Sequence, residues 1–365
     1  MRTTLHDLPT PCLLLERGRM DANLAQLRQR MTKLGVGLRP HLKTAKSIDV
    51  AQRMLPTPQG PATVSTLREA EVFAEAGVTD LIYAVGIAPD KLSRVQKLRA
   101  QSVDIAVILD SPEQAAACFR AQVPALLELD ADGHRAGLRP DDARTLLSLA
   151  KQLGPQLRGV LTHAGTSYHA HGVAELEAAA EQERAAVAHV AERLRQAGFA
   201  CPVVSVGSTP TAHFARALPG VTEVRAGVYV FFDLVMERLG VCRIEDIAIS
   251  VLATVIGHQA AKGWTLTDAG WMALSRDLGD SSRGYGLVCN LEGKVLPGLE
   301  VKECSQEHGV LAMRGDAGTA PPLPVGTRVR ILPNHACATA AQHAGYHVLA
   351  GGDAVEAYWP RFNGW

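Results

Sequence analysis

Short runs of aliphatic and β-branched residues alternate with longer stretches of helical periodicity between about residues 10 and 240. After an opening strand at 11–15 and a first long helix at 20–34, eight strand candidates follow. This alternation is typical of strands and helices built around a parallel sheet. Eight such strands favour an α/β fold of the TIM-type (β/α)8 barrel class over an open Rossmann sheet. The eight candidates lie around residue 42 and at 63–65, 81–85, 105–109, 125–129, 159–163, 203–206 and 223–229.

The pattern changes after residue 240. Apolar and polar residues now alternate between glycine and proline turns, as in SVLATVIGHQ and RVRILPNHAC. A period of two with frequent turns predicts antiparallel strands. We therefore predict an alanine racemase-like barrel at 14–243 and a C-terminal, mainly antiparallel β domain at 244–365 that also takes residues 1–13.

Composition and charge limit the classes of partner. Lysine plus arginine and aspartate plus glutamate both number 37, so the formal net charge is zero and no bulk attraction to nucleic acid or anionic membranes is expected. No apolar run approaches the ~20 residues that span a bilayer, and the N-terminus lacks the apolar centre of a secretory signal. Seven scattered cysteines without a CxxC pair predict reduced thiols. We expect a cytoplasmic protein that binds a small molecule.

The segment PHLKT is expected at the carboxyl end of the first barrel strand, where barrel enzymes place catalytic groups. Its lysine, Lys43, stands close in sequence to Arg39, His41 and Lys46. Neighbouring positive charge should weaken the hold of Lys43 on its proton, which favours an amine nucleophile able to form a Schiff base. The alternative is that Lys43 is a surface lysine.

A second candidate is the turn VGSTPT after the seventh strand. The backbone and hydroxyl groups of Gly207, Ser208 and Thr209 could bind a phosphate, while Gly227 offers close backbone approach and Tyr229 a further hydroxyl after the eighth strand. An ordinary helix N-cap is the alternative. Together with a lysine on the first strand, a phosphate site suits an aldehyde cofactor that carries phosphate, such as pyridoxal 5'-phosphate.

A third candidate is the pair His335 and Cys337 in PNHAC, directly after the apolar strand 329–332. In an extended chain these side chains point to the same face, because side chains alternate with a period of two. Two protein ligands leave positions for water or substrate, and a thiolate with an imidazole favours zinc over magnesium, with manganese as the alternative metal. The alternative is a buried cysteine beside a turn histidine.

Other polar residues have two interpretations each. His163 and Tyr168 could face the barrel mouth, or could be a capping histidine and a packed tyrosine. Arg135 could neutralise a cofactor phenolate or pair with Asp132. Several β-domain loop residues could reach the site of a neighbouring subunit, namely Asp268, Asp277, Gln306, Glu307 and His308, whereas His169 and His171 are expected to be solvated.

Six motifs in order, PHLKT, DADGHRAG, LTHAGTSY, VGSTPT, TEVRAGVYVFFD and PNHACAT, resemble the fold-type III pyridoxal-phosphate enzymes of the D-threonine aldolase and D-serine dehydratase group. The resemblance covers essentially the whole chain. It implies that Lys43 carries the Schiff base, that the GSTPT and RAGVY segments bind the phosphate, and that His163 and Tyr168 flank the pyridine ring. It also implies that the PNHAC pair holds a divalent metal beside the substrate hydroxyl, in a homodimer whose sites lie where barrel and β domain meet.

One position separates the branches of this family. Metal-dependent D-threonine aldolases typically carry an aspartate two residues after the metal-binding histidine, where this chain has Cys337. The resemblance therefore implies a zinc-dependent dehydratase, converting D-threo-3-hydroxyaspartate to oxaloacetate and ammonia, with D-serine, which would give pyruvate, as a second substrate. A retro-aldol D-threonine aldolase is the main alternative. A racemase and a non-catalytic pyridoxal-phosphate carrier are weaker alternatives.

Overall fold

The computed structural model of the protein describes residues 3–279, 283–315 and 320–365. Within these ranges, no helix combines the length and the apolar character needed to cross a membrane. The seven cysteines all lie in the described ranges and all are free thiols, as the sequence predicted.

The helices and strands of the first 230 residues alternate almost without exception. They are β1 (Cys12–Glu16), α1 (Arg17–Leu34), β2 (Gly37–Leu38), α2 (Ile48–Met54), β3 (Ala62–Val64), α3 (Leu67–Glu75), β4 (Asp80–Gly86), α4 (Leu92–Ala100), β5 (Asp104–Leu109), α5 (Pro112–Ala121), β6 (Ala125–Leu129), α6 (Ala143–Leu153), β7 (Leu157–Thr162), α7 (Val173–Gln196), β8 (Val203–Val206), α8 (Thr209–Phe214) and β9 (Glu223–Val224).

The remainder of the described chain is mainly strands with three short helices. These elements are α9 (Leu234–Arg238), β10 (Ile249–Gln259), β11 (Trp264–Thr267), α10 (Trp271–Leu274), β12 (Leu287–Cys289), β13 (Val295–Cys304), β14 (Gly309–Met313), β15 (Arg328–Leu332), α11 (Ala336–Ala340), β16 (Gly345–Leu349) and β17 (Val355–Pro360).

The chain divides into two compact units. The barrel unit comprises residues 25–227 and 363–365, and the β unit comprises residues 1–24 and 228–362. Relative to the domain ranges expected from the sequence, residues 14–24 and 228–243 fall in the β unit.

The barrel unit is built on a parallel sheet of eight strands within the described residues, in the order β2-β9-β8-β7-β6-β5-β4-β3. Its two end strands are joined, because His41 forms a parallel bridge with Thr63. The Leu42 N–H donates to the Thr63 carbonyl and the Thr63 N–H donates to the Pro40 carbonyl, both at 2.9 Å. The sheet is therefore a closed barrel, and the predicted fold class is confirmed.

Two barrel strands are placed differently from the prediction. The first one is β2, which ends before Pro40; residues 42–46 instead form a turn, in which the Lys46 N–H donates to the Leu42 carbonyl at 3.0 Å. Proline lacks the N–H that a central strand needs, so the sheet pairing there reduces to a single bridge. The last strand, β9, stops at Val224, and residues 228–230 form a 3-10 turn rather than the predicted end of a strand.

The barrel interior has an apolar half and a charged half. Residues in register on neighbouring parallel strands share a face of the sheet. Leu161 is in register with Ser205, which is in register with Glu223. The Arg39 Nε donates to Glu223 at 2.8 Å, and its Nη1 lies 2.6 Å from Asp80 Oδ1. The apolar half is formed by Ile82, Ala106, Ile108, Leu126 and Leu161.

The β unit contains a nine-stranded sheet within the described residues, in the order β11-β14-β13-β12-β15-β10-β1-β16-β17. Strand β1, from the N-terminus of the chain, lies between β10, to which it is antiparallel, and β16, to which it is parallel. The other pairings are antiparallel, as the alternating pattern predicted. A core of Leu5, Leu8, Cys12, Leu14, Leu252 and Leu349 packs against this sheet.

Candidate active site

The carboxyl ends of five barrel strands carry the predicted barrel residues. In a parallel barrel these ends meet at one face, so residues far apart in sequence come together there. Lys43 follows β2, Arg135 follows β6, His163 and Tyr168 follow β7, Gly207, Ser208 and Thr209 follow β8, and Gly227 follows β9.

Lys43 lies on the exposed side of its turn, whereas Lys46 is held by the protein. Lys46 has a left-handed φ of 43°, and its Nζ lies 3.3 Å from Oε1 of the fully buried Glu69. The Lys43 N–H is 3.5 Å from His41 Nδ1. The turn is therefore anchored by one lysine and presents the other.

The neighbouring, unpaired positive charge that the sequence predicted for Lys43 is not present in the structure. Arg39 is paired with the two carboxylates of the barrel interior, and Lys46 is paired with Glu69. Burial lowers the pKa of His41, and the charge of Lys43 adds to this, so His41 is neutral. None of the three neighbours provides the unpaired positive charge that the sequence suggested.

His163 and Tyr168 lie together, with ring centroids 6.0 Å apart. The His163 Nδ1 is 2.5 Å from the Gly207 carbonyl, and since a carbonyl can only accept, Nδ1 carries the hydrogen. Burial, together with the charges of Arg135 and Lys43, lowers the pKa of His163 to about 3. His163 is therefore neutral, and its Nε2 is a hydrogen-bond acceptor.

Arg135 does not pair with Asp132. The Asp132 carboxylate instead accepts from both the N–H and the hydroxyl of Thr166, each at 2.9 Å, which ties the loop after β6 to the loop after β7. Arg135 Nη2 is 3.9 Å from Glu128 Oε1, and half of the arginine side chain is exposed. This leaves its guanidinium available to a ligand.

The turn after β8 uses most of its hydroxyl groups internally. Ser208 and Thr211 cap α8 reciprocally, and the Ser208 Oγ also lies 2.9 Å from the Ser167 Oγ. Thr209 is different: its Oγ1 is buried and has no hydrogen-bond partner among the described residues. Since buried hydroxyls are normally paired, Thr209 is the hydroxyl of this turn that a ligand would satisfy.

Two glycines of the predicted site lie close to neighbouring atoms, and the space is closed at Gly207 and tight at Gly227. A Cβ at Gly207 would lie 1.9 Å from the Arg225 carbonyl oxygen. A Cβ at Gly227 would lie 3.0 Å from Thr44 Oγ1 and 3.2 Å from the His41 carbonyl oxygen. Tyr229, grouped with Gly227 in the prediction, is fully buried in the β unit.

Sequence reasoning missed two buried charged residues of the barrel unit, Arg225 and Glu183. Arg225 donates from Nη1 to Ser205 Oγ and from Nη2 to the Thr162 carbonyl, both at 2.6 Å. A signal for Arg225 was present in the motif TEVRAGVY, since an arginine two residues after Glu223 points into the barrel. Glu183 lies inside α7, outside every motif.

In the β unit, His335 and Cys337 are in contact, but not by the predicted geometry. His335 has an extended backbone at φ −132° and is the N-cap residue of α11, so Cys337 lies in the first helical turn rather than in an extended chain. Their side chains are nevertheless hydrogen-bonded to each other. The alanine-rich segment ACATA favours a helix, which explains the difference.

Asp277, a loop residue of the β unit, holds His335. The His335 Nδ1 is 2.6 Å from Asp277 Oδ2, which leaves Nε2 as the nitrogen that faces the thiol. Burial opposes protonation, but the hydrogen bonds to Asp277 and Cys337 raise the pKa of His335 to about 11. The same bond lowers the pKa of Asp277.

A second carboxylate fixes the backbone between the two side chains. Asp233 is fully buried; its Oδ2 accepts from the Ala336 N–H at 2.9 Å and its Oδ1 accepts from the Met236 N–H at 3.0 Å. Asp233 therefore caps α9 and holds the start of α11 at the same time.

Among the residues that the structure describes, no group of three or more histidine, cysteine, aspartate or glutamate side chains converges in a way that could hold a metal. His335 and Cys337 are thus a pair, with Asp277 behind the histidine.

The remaining loop candidates are Asp268, Gln306, Glu307 and His308 in the β unit and His169 and His171 in the barrel unit. Asp268 accepts from the Thr254 N–H at 2.8 Å and from the Thr10 hydroxyl at 2.5 Å, which is a structural role in the β unit. The other five are exposed, namely His169, His171, Gln306, Glu307 and His308.

The chain matches two family models. Residues 15–235 match the model described as alanine racemase, N-terminal domain, and residues 248–349 match the model described as putative serine dehydratase domain. Among curated proteins it is 51% identical to D-threo-3-hydroxyaspartate dehydratase of Delftia sp. (strain HT23), over the full length of both chains. It is 29% identical to D-serine dehydratase of Dictyostelium discoideum, over 94% of each chain, and 31% identical to D-threonine aldolase of Arthrobacter sp., over 96% of this chain and 91% of the other.

Solved structures give the same picture. Two variants of D-threo-3-hydroxyaspartate dehydratase superpose on the protein with a TM-score of 0.96 at 50% identity, covering all of this chain and at least 98% of the other. One variant has a histidine replaced by alanine; the other has a cysteine two positions later replaced by alanine and is in the metal-free form. The histidine and cysteine of that protein have the same spacing as His335 and Cys337.

Proposed function

Because this chain belongs to the fold-type III pyridoxal-phosphate family that joins an alanine racemase N-terminal domain to a serine dehydratase domain, we propose that it is a pyridoxal-phosphate- and zinc-dependent dehydratase. Its substrates are D-β-hydroxy amino acids: D-threo-3-hydroxyaspartate gives oxaloacetate and ammonia, and D-serine gives pyruvate and ammonia. The observation that carries the proposal is the contact between His335 and Cys337, the pair by which the family resemblance separates dehydratases from aldolases.

The barrel residues fit pyridoxal phosphate. The buried Thr209 hydroxyl lacks a protein partner among the described residues and would gain one from a phosphate oxygen. Gly207 and Gly227 have no side chain, which permits their close contacts with the Arg225 and His41 carbonyls, and Lys43 is the exposed lysine at the same end of the barrel. In this proposal Arg135 neutralises the phenolate oxygen.

Bound pyridoxal phosphate would act as an electron sink for negative charge at the substrate Cα. Lys43 would hold the cofactor through its side-chain amine, and the same amine would take the Cα proton of the substrate. His163 is neutral and is fixed through Nδ1 by the Gly207 carbonyl, and together with Tyr168 it would orient the pyridine ring. In this proposal the Tyr229 hydroxyl donates to the phosphate.

The β-unit residues fit a zinc ion. An imidazole together with a thiolate binds zinc in preference to magnesium or manganese. Manganese is the second candidate for the metal. Asp277 binds His335 Nδ1, and such a carboxylate behind a histidine orients Nε2 toward a metal. Bound zinc would act as a Lewis acid that makes the substrate hydroxyl a better leaving group.

A D-threonine aldolase is the second candidate, because a D-threonine aldolase is also a relative, at 31% identity. It would cleave the Cα–Cβ bond to give glycine and an aldehyde, which requires a base at the hydroxyl rather than a better leaving group. The thiol at Cys337 favours the dehydratase.

We also propose that the protein is a cytoplasmic homodimer, as the family resemblance implies. Light scattering coupled to size-exclusion chromatography tests the dimer directly, and a monomer that is fully active would contradict it.

The experiment that tests the proposed function is a product assay. Enzyme reconstituted with pyridoxal phosphate and zinc is incubated separately with D-threo-3-hydroxyaspartate, D-serine and D-threonine, and 2-oxo acid, ammonia and glycine are measured together. We expect oxo acid and ammonia in equal amounts, with D-threo-3-hydroxyaspartate the fastest substrate. Glycine with an aldehyde as the main products would show that the protein is an aldolase.

A further inference from the structure

Glu183 is a charged residue on a helix face that is otherwise apolar. It lies in α7, and only 2% of it is exposed. The other buried residues of this helix are Leu176, Ala180, Val187, Val190, Ala191 and Leu194. Burying a carboxylate is costly unless its oxygens are hydrogen-bonded, so its partners indicate what it does.

The Glu183 carboxylate bridges the ends of two barrel strands. Its Oε1 accepts from the Gly207 N–H at 2.7 Å and from the Ala164 N–H at 3.2 Å. Its Oε2 accepts from the Thr211 hydroxyl at 2.8 Å. Ala164 follows β7 and Gly207 follows β8, at the barrel face that carries the candidate site.

All three partners are donors, so the geometry is that of an ionised, acceptor-only carboxylate. Burial is the largest influence and raises the pKa of Glu183 above its ordinary value, although the bonds from Gly207 and Thr211 and the charge of Arg225 act in the opposite direction. Hydrogen bonds to an ionised group are stronger than neutral ones, and removing the carboxylate would leave buried N–H groups unpaired.

Glu183 also determines the direction of the hydroxyl network in the turn. Thr211 donates its hydroxyl hydrogen to Glu183, and its Oγ1 accepts from the Ser208 N–H at 3.2 Å. The Ser208 hydroxyl lies 2.9 Å from both Thr211 Oγ1 and Ser167 Oγ, and it is the donor toward them. The Ser167 hydroxyl in turn donates to the Ala164 carbonyl at 2.6 Å. The network points into the protein and leaves Thr209 as the hydroxyl for a ligand.

We propose that Glu183 is a positioning residue for the phosphate of the cofactor. It fixes the Gly207 peptide and Thr211, and thereby the turn that presents Thr209. This inference rests on the proposed function, since it assumes that the turn after β8 binds the phosphate of pyridoxal phosphate. It predicts that Glu183 affects the part of the binding affinity that comes from the phosphate and not the part that comes from the ring.

The experiment compares two ligands that differ only in the phosphate. Apoenzyme of the wild type and of Glu183→Gln is titrated with pyridoxal phosphate and with pyridoxal, and binding is followed by the visible absorbance of the lysine-bound ligand. The glutamine amide presents a donor where the carboxylate accepted, so we expect pyridoxal phosphate to bind about 10- to 100-fold more weakly. Pyridoxal affinity should change less than about twofold.

Glu181→Gln is the matched control. Glu181 lies on the same helix two residues away, is largely exposed and pairs with the neighbouring Arg184. This variant should bind both ligands like the wild type.

Two results would overturn the proposal. One is an unchanged affinity of Glu183→Gln for pyridoxal phosphate; the other is an equal weakening of the affinity for both ligands, which would mean general damage to the barrel.

Thr211→Val decides the question if Glu183→Gln does not fold, because it keeps the Glu183 carboxylate and both of its backbone bonds. It should lose affinity for pyridoxal phosphate selectively, though less than Glu183→Gln, and equal affinities of Thr211→Val and the wild type would contradict the proposal. A wild type that binds neither ligand would reject the proposed function itself.

Discussion

A single hydrogen bond from His335 to Asp277 sets the orientation of the histidine ring. By accepting from His335 Nδ1 at 2.6 Å, Asp277 fixes the ring and leaves Nε2 for a metal. Replacing such carboxylates typically costs 10- to 100-fold in metal affinity. We therefore expect Asp277→Ala to bind zinc about 10- to 100-fold more weakly than the wild type, measured by competition with a chromogenic chelator. Asp141→Ala, a change at an exposed aspartate of the barrel unit, is the control, and equal zinc affinities of Asp277→Ala and the wild type would contradict the assignment.

Lys43 and Lys46 form a matched pair for testing which lysine reacts. Lys43→Ala should lose the visible absorbance of bound pyridoxal phosphate, because the amine that holds the cofactor is gone. Lys46→Ala should keep the absorbance but lose about 1–3 kcal/mol of the free energy of unfolding, because the buried Glu69 then lacks its cation. Absorbance spectra and urea titrations measure both effects. Retention of the absorbance in Lys43→Ala would reject the assignment.

The buried His163 gives the barrel unit a pH dependence. Its pKa is about 3 in the folded protein against an ordinary 6.5, so the unfolded chain binds a proton more readily. The stabilising contribution is present above pH 6.5 and is lost as the pH falls toward 3. We expect the free energy of unfolding to decrease over this range, and to decrease less steeply in His163→Gln. Identical pH profiles of the two proteins in urea titrations would contradict this account.

Among the secondary-structure elements, the positions of the regular strands were predicted more closely than the residues at which some of them end. Strands β6 and β8 have the predicted bounds, because continuous apolar runs are local signals. Strand β2 was placed too late because Leu42 resembles a strand residue, while Pro40 and the following turn interrupt the pairing. The predicted extended chain through His335 and Cys337 was wrong, since the short helix α11 begins between these two residues.

Asp233 connects two of these elements, and its removal should affect both stability and metal binding. Asp233→Ala leaves the buried N–H groups of Met236 and Ala336 without their acceptor, so we expect a loss of about 1–3 kcal/mol in the free energy of unfolding. Zinc should also bind more weakly, because the backbone between His335 and Cys337 is no longer held. Asp142→Ala removes the cap of α6 in the same way and should leave zinc affinity unchanged. Equal zinc affinity in Asp233→Ala and Asp142→Ala would show that Asp233 serves only the fold.

For the molecule as a whole, the barrel and the β sheet could be predicted because the alternation of strands and helices and the turn residues are local features of the sequence. Lys43, His163, Gly207 and their companions could be placed at one barrel face because parallel strands present their carboxyl ends together. Glu183 and Asp233 could not be found in this way, and Asp277 was singled out only as a loop residue, not as the partner of His335. Each acts on a residue at least nineteen positions away in sequence, as Glu183 does on Ala164, so only the folded chain shows the pairing.

The central claim is that a metal held by His335 and Cys337 supports elimination of water. The most direct measurement strips the purified holoenzyme of metal and follows zinc content and ammonia release from D-threo-3-hydroxyaspartate as zinc is added back. We expect ammonia release to be lost on stripping and to return in proportion to bound zinc, saturating at about one ion per chain. Cys337→Ala should recover neither bound zinc nor ammonia release. Full elimination activity in the stripped enzyme, with pyridoxal phosphate still bound, would contradict this claim.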